Sequence, residues 1–533
     1  MTTSHRIQSD IEELGDAVAL ELREALDEPY LLRLQVRRPE GATALEPSAV
    51  LGQTVAVEIE REGATPRRIV GLVVGLEDAP ERSREIVLRI APALALLDLE
   101  RTNRIFQAKT VPEILEAVLG EALGTYDRSV VLDLTQTYEP REYCVQWQET
   151  NLAFVRRLMA EEGIAFGFDH SGDVEVLTLR DDNVSYPELD ASDGSTVRYT
   201  DLDLSRRADI VPEVVHHFEP RLRTGRTTIV VRDHDWTGPQ NPEAEDGEPD
   251  EQGRERPSYE HGLGVTLSIG SYDEGVRRYQ KHDAARQAPI RLEADRARLS
   301  QYEGRSTITS LTPGHVIVLS GHPKGFDGTY LVTHVEHRSS GVRRSAELAL
   351  IHSNFVCIPI DVEHRPERRF HKPRITSAEV ARVVGPSGEE IHTDPHGRIK
   401  VQFPWDRDGA GDEHTSCWIR VAQRWAGSGF GTLYIPRIGM EVVVRYLHGD
   451  PDRPVVTGAL YNGDNLPPYP LPDEKTKSTI KSESSIGGGG FNELRYEDEA
   501  GDEQIYLHAQ RNLDEVVLAN HTTTVGADQL NHV

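Results

Sequence analysis

The sequence predicts a mainly β protein assembled from several small modules rather than one large globule. Between Ile391 and Asn462, apolar and polar residues alternate in short runs separated by Asp, Pro and Gly, the pattern of half-buried strands and turns. Hydrophobic residues make up 37% and aromatics 6% of the chain, which suits thin β modules or an extended assembly better than one thick core. Phe491 to Gly526 alternates again, with Ile505, Leu507 and Ala509 on one row and Tyr506, His508 and Gln510 on the other. A length of 533 residues leaves room for three or four domains, each with its own core.

From Arg23, REALDEPYLLRLQVRR predicts a short helical turn and then a strand, and Thr54 to Glu60 and Arg68 to Leu76 alternate as further strands. Two helices interrupt this β texture. In the first, Thr110 caps, Pro112 sits in the first turn, and Val111, Ile114, Leu115, Val118, Leu119 and Ala122 share a face. In the second, Thr150 or Asn151 caps, Leu152, Val155 and Leu158 point inward, and Gly163 ends the helix. Apolar stripes of this kind pack into a core rather than wait for a partner.

Asp233 to Glu260 is acidic, rich in Pro and Gly and without apolar period, so it reads as a solvated loop; DGEPDEQG lacks the spacing and closing Glu of a calcium loop. Tyr272 to Ser300 carries Arg277, Arg278, Lys281, Arg286, Arg291, Arg296 and Arg298 on a largely helical stretch that Pro289 kinks or splits. Asp283, Glu293 and Asp295 among them make an exposed mixed-charge helix, not a phosphate site. Strands return from Arg305 to Ser340. Ile360 to Arg374 has no apolar period and reads as a linker.

In the next module, Asp394-Pro395-His396-Gly397 fits a type I turn leading into a strand with Ile399, Val401 and Phe403 on one side. Glu441 to Leu447 and Val455 to Tyr461 flank Gly449 to Pro454, which can only turn. With Glu379 to Val384 and Trp418 to Gln423, this makes about five short strands, the size of a small OB-type barrel. NLPPYPLPDEKTK then forms a Pro-rich strap, and Gly487 to Gly490 lets chains cross closely.

Composition and motifs exclude much chemistry. A net charge of -29 argues against a nucleic-acid partner, which needs clustered Lys and Arg. Cys144, Cys357 and Cys417 form no close pair or metal spacing and suit a reducing compartment. MTTSHRIQSDIEELGD lacks a basic-then-apolar secretion signal, and no apolar run approaches the ~18 residues of a membrane span. GxSxG, HExxH, GxxxxGK[ST] and CxxC are absent. GSGFG at Gly427 to Gly431 lies between strands, so it is a turn rather than a phosphate loop. His364, His371, His392 and His396 fall in linker and turn, as surface histidines do more often than metal ligands. The carboxylates Asp450 and Asp452, which could serve a glycosidase, lie in a turn. No catalytic, cofactor or metal residue is expected.

The wording DPHGRIKVQFPWDRDG, PRIGMEVVVRYLHGDPDRPVVTG and GGGGFNELRYEDEAGDEQIYLHAQRNLD closely resembles the VgrG (valine-glycine repeat) spike proteins of type VI secretion systems, themselves similar to the hub and spike of contractile phage tails. REYCVQWQE with ETNLAFVRRLMAEEGIAFGF matches the hub. The resemblance covers nearly the whole chain. It implies β-barrel hub domains with a few helices at 1–370, an OB-fold barrel at 375–465, a Pro/Gly-rich strap at 466–490 and, at 491–533, the start of a trimeric β-helical needle. Ile505, Leu507, Ala509 and Val525 would face the axis of that needle. A needle of this family runs through many Val-Gly repeats, so the resemblance also implies more needle past Val533 or an unusually short tip. It further implies a homotrimer that caps an Hcp-like tube hexamer through two similar barrels per chain. The needle would carry a PAAR-type tip protein, with baseplate components and secreted effectors as further partners. Sheath contraction would drive it from the cytoplasm through a target membrane without enzyme activity or cofactor. The alternatives are the spike of a contractile phage tail or extracellular injection particle, and a spike carrying an enzymatic effector domain beyond residue 533.

Overall fold

The computed structural model describes residues 4–11, 14–42, 45–61, 64–78, 84–191, 194–201, 213–226, 228–232, 236, 270–274, 283–340 and 352–530. The acidic stretch 233–260 lies outside them apart from residue 236, as do Arg277, Arg278 and Lys281 of the basic stretch. The chain divides into two compact units, Met1–Ile375 with His448–Arg453, and Thr376–Leu447 with Pro454–Val533.

The first unit is organised on one continuous sheet. Its strands run in the order Ser4–Ser9, Thr54–Glu60, Arg67–Asp78, Glu85–Ala91, Glu28–Arg37, Asp16–Ala25, Gly328–Ser340, His352–Pro359, Ser300–Ser306 and Val215–Leu222, with Val316–Ser320 and then Thr196–Arg198 branching from Gly328–Ser340. The pairing of Asp16–Ala25 with Gly328–Ser340 joins an N-terminal to a C-terminal set, and each set buries its own core. Leu22, Leu32, Leu34, Val57, Ile69 and Leu88 fill the first, Phe218, Ile317, Val332, Val335 and Phe355 the second.

The expected helical turn after Arg23 does not form. Glu, Ala and Leu there favour helix, but Leu20 and Leu22 pair across from Leu34 and Leu32, and burying that row outweighs propensity. The chain reverses at Asp27, whose φ of 65° is one that Asp tolerates better than most residues.

Both interrupting helices form as the caps specify. Val111–Gly124 opens with a capping box between Thr110 and Glu113, and Asn151–Glu162 with the Thr150 hydroxyl accepting from the Ala153 N–H at 3.1 Å. Gly163 closes the second at φ 72°, a left-handed cap that a side chain would strain. The helices share a third core with Ser129–Asp133, Ala165–Asp169 and Val176–Arg180, built on Ile114, Leu115, Leu119, Phe154, Leu158 and Leu179. The basic stretch becomes a strand, Gly270–Glu274, then one helix, Asp283–Leu299, that continues through Pro289 instead of splitting.

Residues 360–374 are without helix or strand, as a linker should be, yet they are fastened to the first unit. Asn183 donates to the carbonyls of Ile360 and Val362, His364 Nε2 lies 2.8 Å from Asp27, and buried Arg365 reaches Glu293 at 2.7 Å. Lys372 Nζ meets Asp450 at 3.1 Å and Asp452 at 2.6 Å, and Asp452 also accepts the Val145 N–H at 2.7 Å. These contacts make the two acids a clamp on Lys372, although burial pushes the Asp450 carboxyl up against the pull of that lysine.

The second unit begins with a five-stranded sheet in the order Lys400–Gln402, Glu379–Val384, Glu441–Tyr446, Pro454–Leu460 and Arg420–Val421, with Val383, Val401, Phe403, Ile419, Val442, Val444 and Val456 buried. The expected turn forms, the Gly397 N–H donating to the Asp394 carbonyl at 3.0 Å. Strand pairing is sparser than the alternation predicts: of Trp418 to Gln423 only Arg420 and Val421 pair in a strand. Gly427 to Gly431 makes a small hairpin, Ala426–Gly427 against Phe430–Gly431.

Candidate assembly face

The Pro-rich strap conceals a strand. Lys477–Glu483 pairs with Phe491–Glu497, which pairs with Gln504–His508, all antiparallel. Residues directly opposite one another share a face, so the register sorts every side chain. Ile480, Leu494 and Leu507 align across the three strands, and Tyr496 aligns with Ile505 beside them. Thr479, Arg495 and Tyr506, with Lys481, Glu493 and His508, take the other face.

The polar face is covered from within the chain. Tyr469 donates to Glu493 and accepts from Arg495 at 2.9 Å, Thr479 donates to Glu493 at 2.8 Å, and Arg495 lies 4.5 Å over the Tyr506 ring. Phe491 stacks on His508 at 4.5 Å. The apolar face has no such cover: Ile505 is 73% and Leu507 60% exposed, and Ile480 and Tyr496 stand out as well. From Thr457 to Leu530 no apolar side chain is buried, although Lys477–Glu483, Phe491–Glu497 and Gln504–His508 within this stretch pair into a regular sheet. A sheet with water on its apolar face is marginal alone, because the hydrophobic contribution scales with area removed from water.

Of the residues singled out in the sequence, Ile505 and Leu507 lie on this apolar face. The strand ends at His508, so Ala509, half buried, and Val525, exposed in the stretch without helix or strand after it, stand outside the paired sheet. Ile480, Leu494 and Tyr496 escape a reading of the last strand because only the register shows that they share its face. Lys477–Glu483, KSTIKSE, has one apolar residue and no visible alternation. The histidines find other roles. His364 pairs with Asp27, His392 packs 4.8 Å from Trp418, and among the described residues no three His, Cys, Asp or Glu side chains form a metal-binding group.

A β hub, a five-stranded barrel and a terminal sheet with an uncovered apolar face define the class of hub-and-spike proteins of contractile injection machines. The family described as the phage tail baseplate hub (GPD) matches residues 23–342, the type VI secretion system/phage-baseplate injector OB domain residues 389–461, and the bacteriophage T4 gp5 C-terminal trimerisation domain residues 478–533. The type VI secretion system spike protein VgrG5 of Pseudomonas aeruginosa is 36% identical over 525 residues, 95% of this chain and 63% of that protein. An actin cross-linking toxin, VgrG1 of Vibrio cholerae, is 33% identical over 508 residues, 94% of this chain and 44% of that protein. The solved structure of an E. coli type VI secretion component, described as similar to the T4 tail proteins gp27 and gp5, shares the fold with a TM-score of 0.60 at 22% identity, covering 85% of this chain and all of that one. VgrG1b of Pseudomonas aeruginosa, a type VI secretion system spike protein, is 34% identical over 530 residues, 96% of this chain and 67% of that protein. The chain therefore belongs to the VgrG family of type VI secretion spike proteins, although it spans less than two thirds of the length of VgrG5 and VgrG1.

Proposed function

We propose that this chain is the hub and spike of a contractile type VI secretion system, working as a homotrimer in which Ile505 and Leu507, with Ala509 and Val525 beyond the strand, face a shared axis. The observation that carries this reading is the 457–530 segment: its three strands pair into a sheet, yet it buries no apolar side chain of its own. Three copies wrapped on one axis would supply the missing cover. In this reading residues 1–370 form the hub, 375–465 the OB barrel and 491–533 the first turns of the needle. The hub caps a tube of Hcp-like hexamers, the needle carries a PAAR-type tip protein, and baseplate components and effectors attach to the same particle. The trimer is assembled in the cytoplasm and expelled by sheath contraction through a target membrane.

Purified chain mixed with preformed Hcp-like tubes and viewed by electron microscopy should cap tube ends; tubes left bare at both ends would count against the hub role. We further propose that residues 1–533 hold no catalytic centre, since their best carboxylate pair is locked by Lys372. Turnover of peptidoglycan, phospholipid or nucleotide by this chain, abolished by one point substitution, would overturn that.

A further inference from the structure

We propose that the barrel hairpin around Trp425 and Phe430 is a second contact between copies of this chain, so that three barrels, and not the needle alone, hold the particle together. The proposal rests on the trimer reading above and extends it to a surface outside the needle.

Residues 425–436, WAGSGFGTLYIP, contain no charged residue in a chain of net charge -29. Trp425 is 65% and Phe430 60% exposed, with Leu433 and Tyr434 exposed beside them. These aromatics are held rigidly. Trp425 and Phe430 meet edge to face at 5.5 Å, and the Phe430 ring lies on Gly427, where a Cβ would collide with it. Tyr434 exchanges two hydrogen bonds with Gln423, N–H to Oε1 at 3.2 Å and Nε2 to carbonyl at 3.1 Å, and the Thr432 N–H donates to the Trp425 carbonyl at 2.9 Å. Large rings fixed in place lose little conformational freedom on docking, which suits them to anchor an interface.

The occupant is a second copy because the patch continues into the face that copies already cover in the trimer reading. From Leu433 and Tyr434 the chain runs directly to Arg437, which donates to the Glu483 carbonyl at 2.8 Å and pairs with Glu390. Glu390 in turn accepts the Ile486 N–H at 3.0 Å. Ile486 is exposed, and Ile480 on the adjoining strand opens the apolar face of the terminal sheet. The exposed apolar residues therefore follow one path through the second unit, from the hairpin to Leu507. Around a threefold axis this side of one barrel meets a different side of the next, and the ring closes after three contacts.

The test uses the full chain carrying W425D and F430D together, with needle residues unchanged, and follows mass by light scattering through a dilution series. Both side chains point to solvent, and circular dichroism matching the parent verifies the fold. The concentration at half-dissociation should rise at least about tenfold, as expected when buried aromatic anchors are lost. A parent chain that is monomeric at every dilution would remove the trimer reading itself. A parent trimer whose half-dissociation shifts less than about twofold in the variant would overturn the hairpin contact and leave the needle contact standing. A photo-reactive phenylalanine analogue at Ser428 gives a second readout that needs no loss of stability: chain-to-chain adducts support the contact, and their absence in a particle of trimer mass overturns it. Binding of the parent to phosphatidylglycerol vesicles that W425D/F430D abolishes, with dissociation unchanged, would assign the hairpin to a lipid surface instead.

Discussion

Of the 27 large apolar side chains that stand exposed among the described residues, four lie in the first unit and 23 in the second, although the second is much the shorter stretch of chain. The first unit hides its apolar residues in cores of its own and can even bury charge. Arg157, 1% exposed, is gripped by Glu149 through two contacts of 2.8 Å and reaches Glu161 at 3.3 Å. The second unit closes its barrel around Val383, Val401 and Phe403 and then, past Val456, buries no further apolar side chain among the described residues. Side chains of the same hydrophobicity thus have two destinations. Where the chain covers them, they build a domain; where it leaves them outward on a regular sheet, they call for other copies.

The largest expected effect breaks the second half of that comparison. Leu507→Asp would set three carboxylates close together where water is excluded, a cost of roughly several kcal/mol each unless they are protonated, so the trimer should fall apart while the thermal transition of the first unit stays put. Gln510→Asp is its partner. Gln510 stands at the rim and accepts the Phe491 N–H at 3.3 Å, so the change should cost about 1 kcal/mol and leave the trimer mass intact. If Gln510→Asp dissociated the particle and Leu507→Asp did not, the inward row would be the other one, because a one-residue slip exchanges the faces.

The next effect belongs to the first unit. Arg157→Met strands Glu149 without its cation and leaves Glu161 paired with Arg141, a loss of about 3–5 kcal/mol typical of breaking a buried pair. Chemical unfolding followed by circular dichroism should lose an early, hub-sized transition, with the needle contact unaffected. A variant that instead dissociates with its hub intact would show that the two units are not independent.

A smaller and more gradual effect is expected from pH. Burial, and secondarily the nearby Arg67, lower the pKa of His170 and of His337 to about 3, and burial lowers that of His5 to about 4. A histidine held neutral in the fold but free to charge when unfolded contributes fully above the unfolded value of 6.5. Its contribution fades as pH falls from there toward the folded value, by up to about 1.4 kcal/mol per pH unit for each group. Glu24, whose carboxyl burial pushes above its ordinary value, works in the opposite direction and offsets part of the loss. The hub should therefore unfold at lower urea at pH 5 than at pH 7.5, and an unchanged midpoint would show that these histidines are already charged in the fold.

Legibility in the sequence followed how locally each feature is encoded. Thr110 with Pro112, Thr150 and Gly163 announce helix ends because caps depend on neighbours within four residues, and Thr54–Glu60 alternates apart from buried Ala56. The exposed row of Ile505 and Leu507 could be read from spacing, and its apolar character survives in the fold. The reversal at Asp27 could not, since the helix-favouring run is overridden by pairing with Leu32 and Leu34 on the far side of the turn. Nor could the clamp of Lys372 on Asp450 and Asp452, whose partners lie 78 and 80 positions apart. Ile480 and Leu494 joined the assembly face only through strand register, which no single strand contains.

The most direct measurement is the mass of the intact chain in solution by light scattering. The uncovered face predicts a particle of three times the 59.5 kDa chain mass, falling to single chains in Leu507→Asp. A well-folded parent that remains at 59.5 kDa would contradict it, because the apolar row from Ile480 to Leu507 would then stay in water with no copy to cover it.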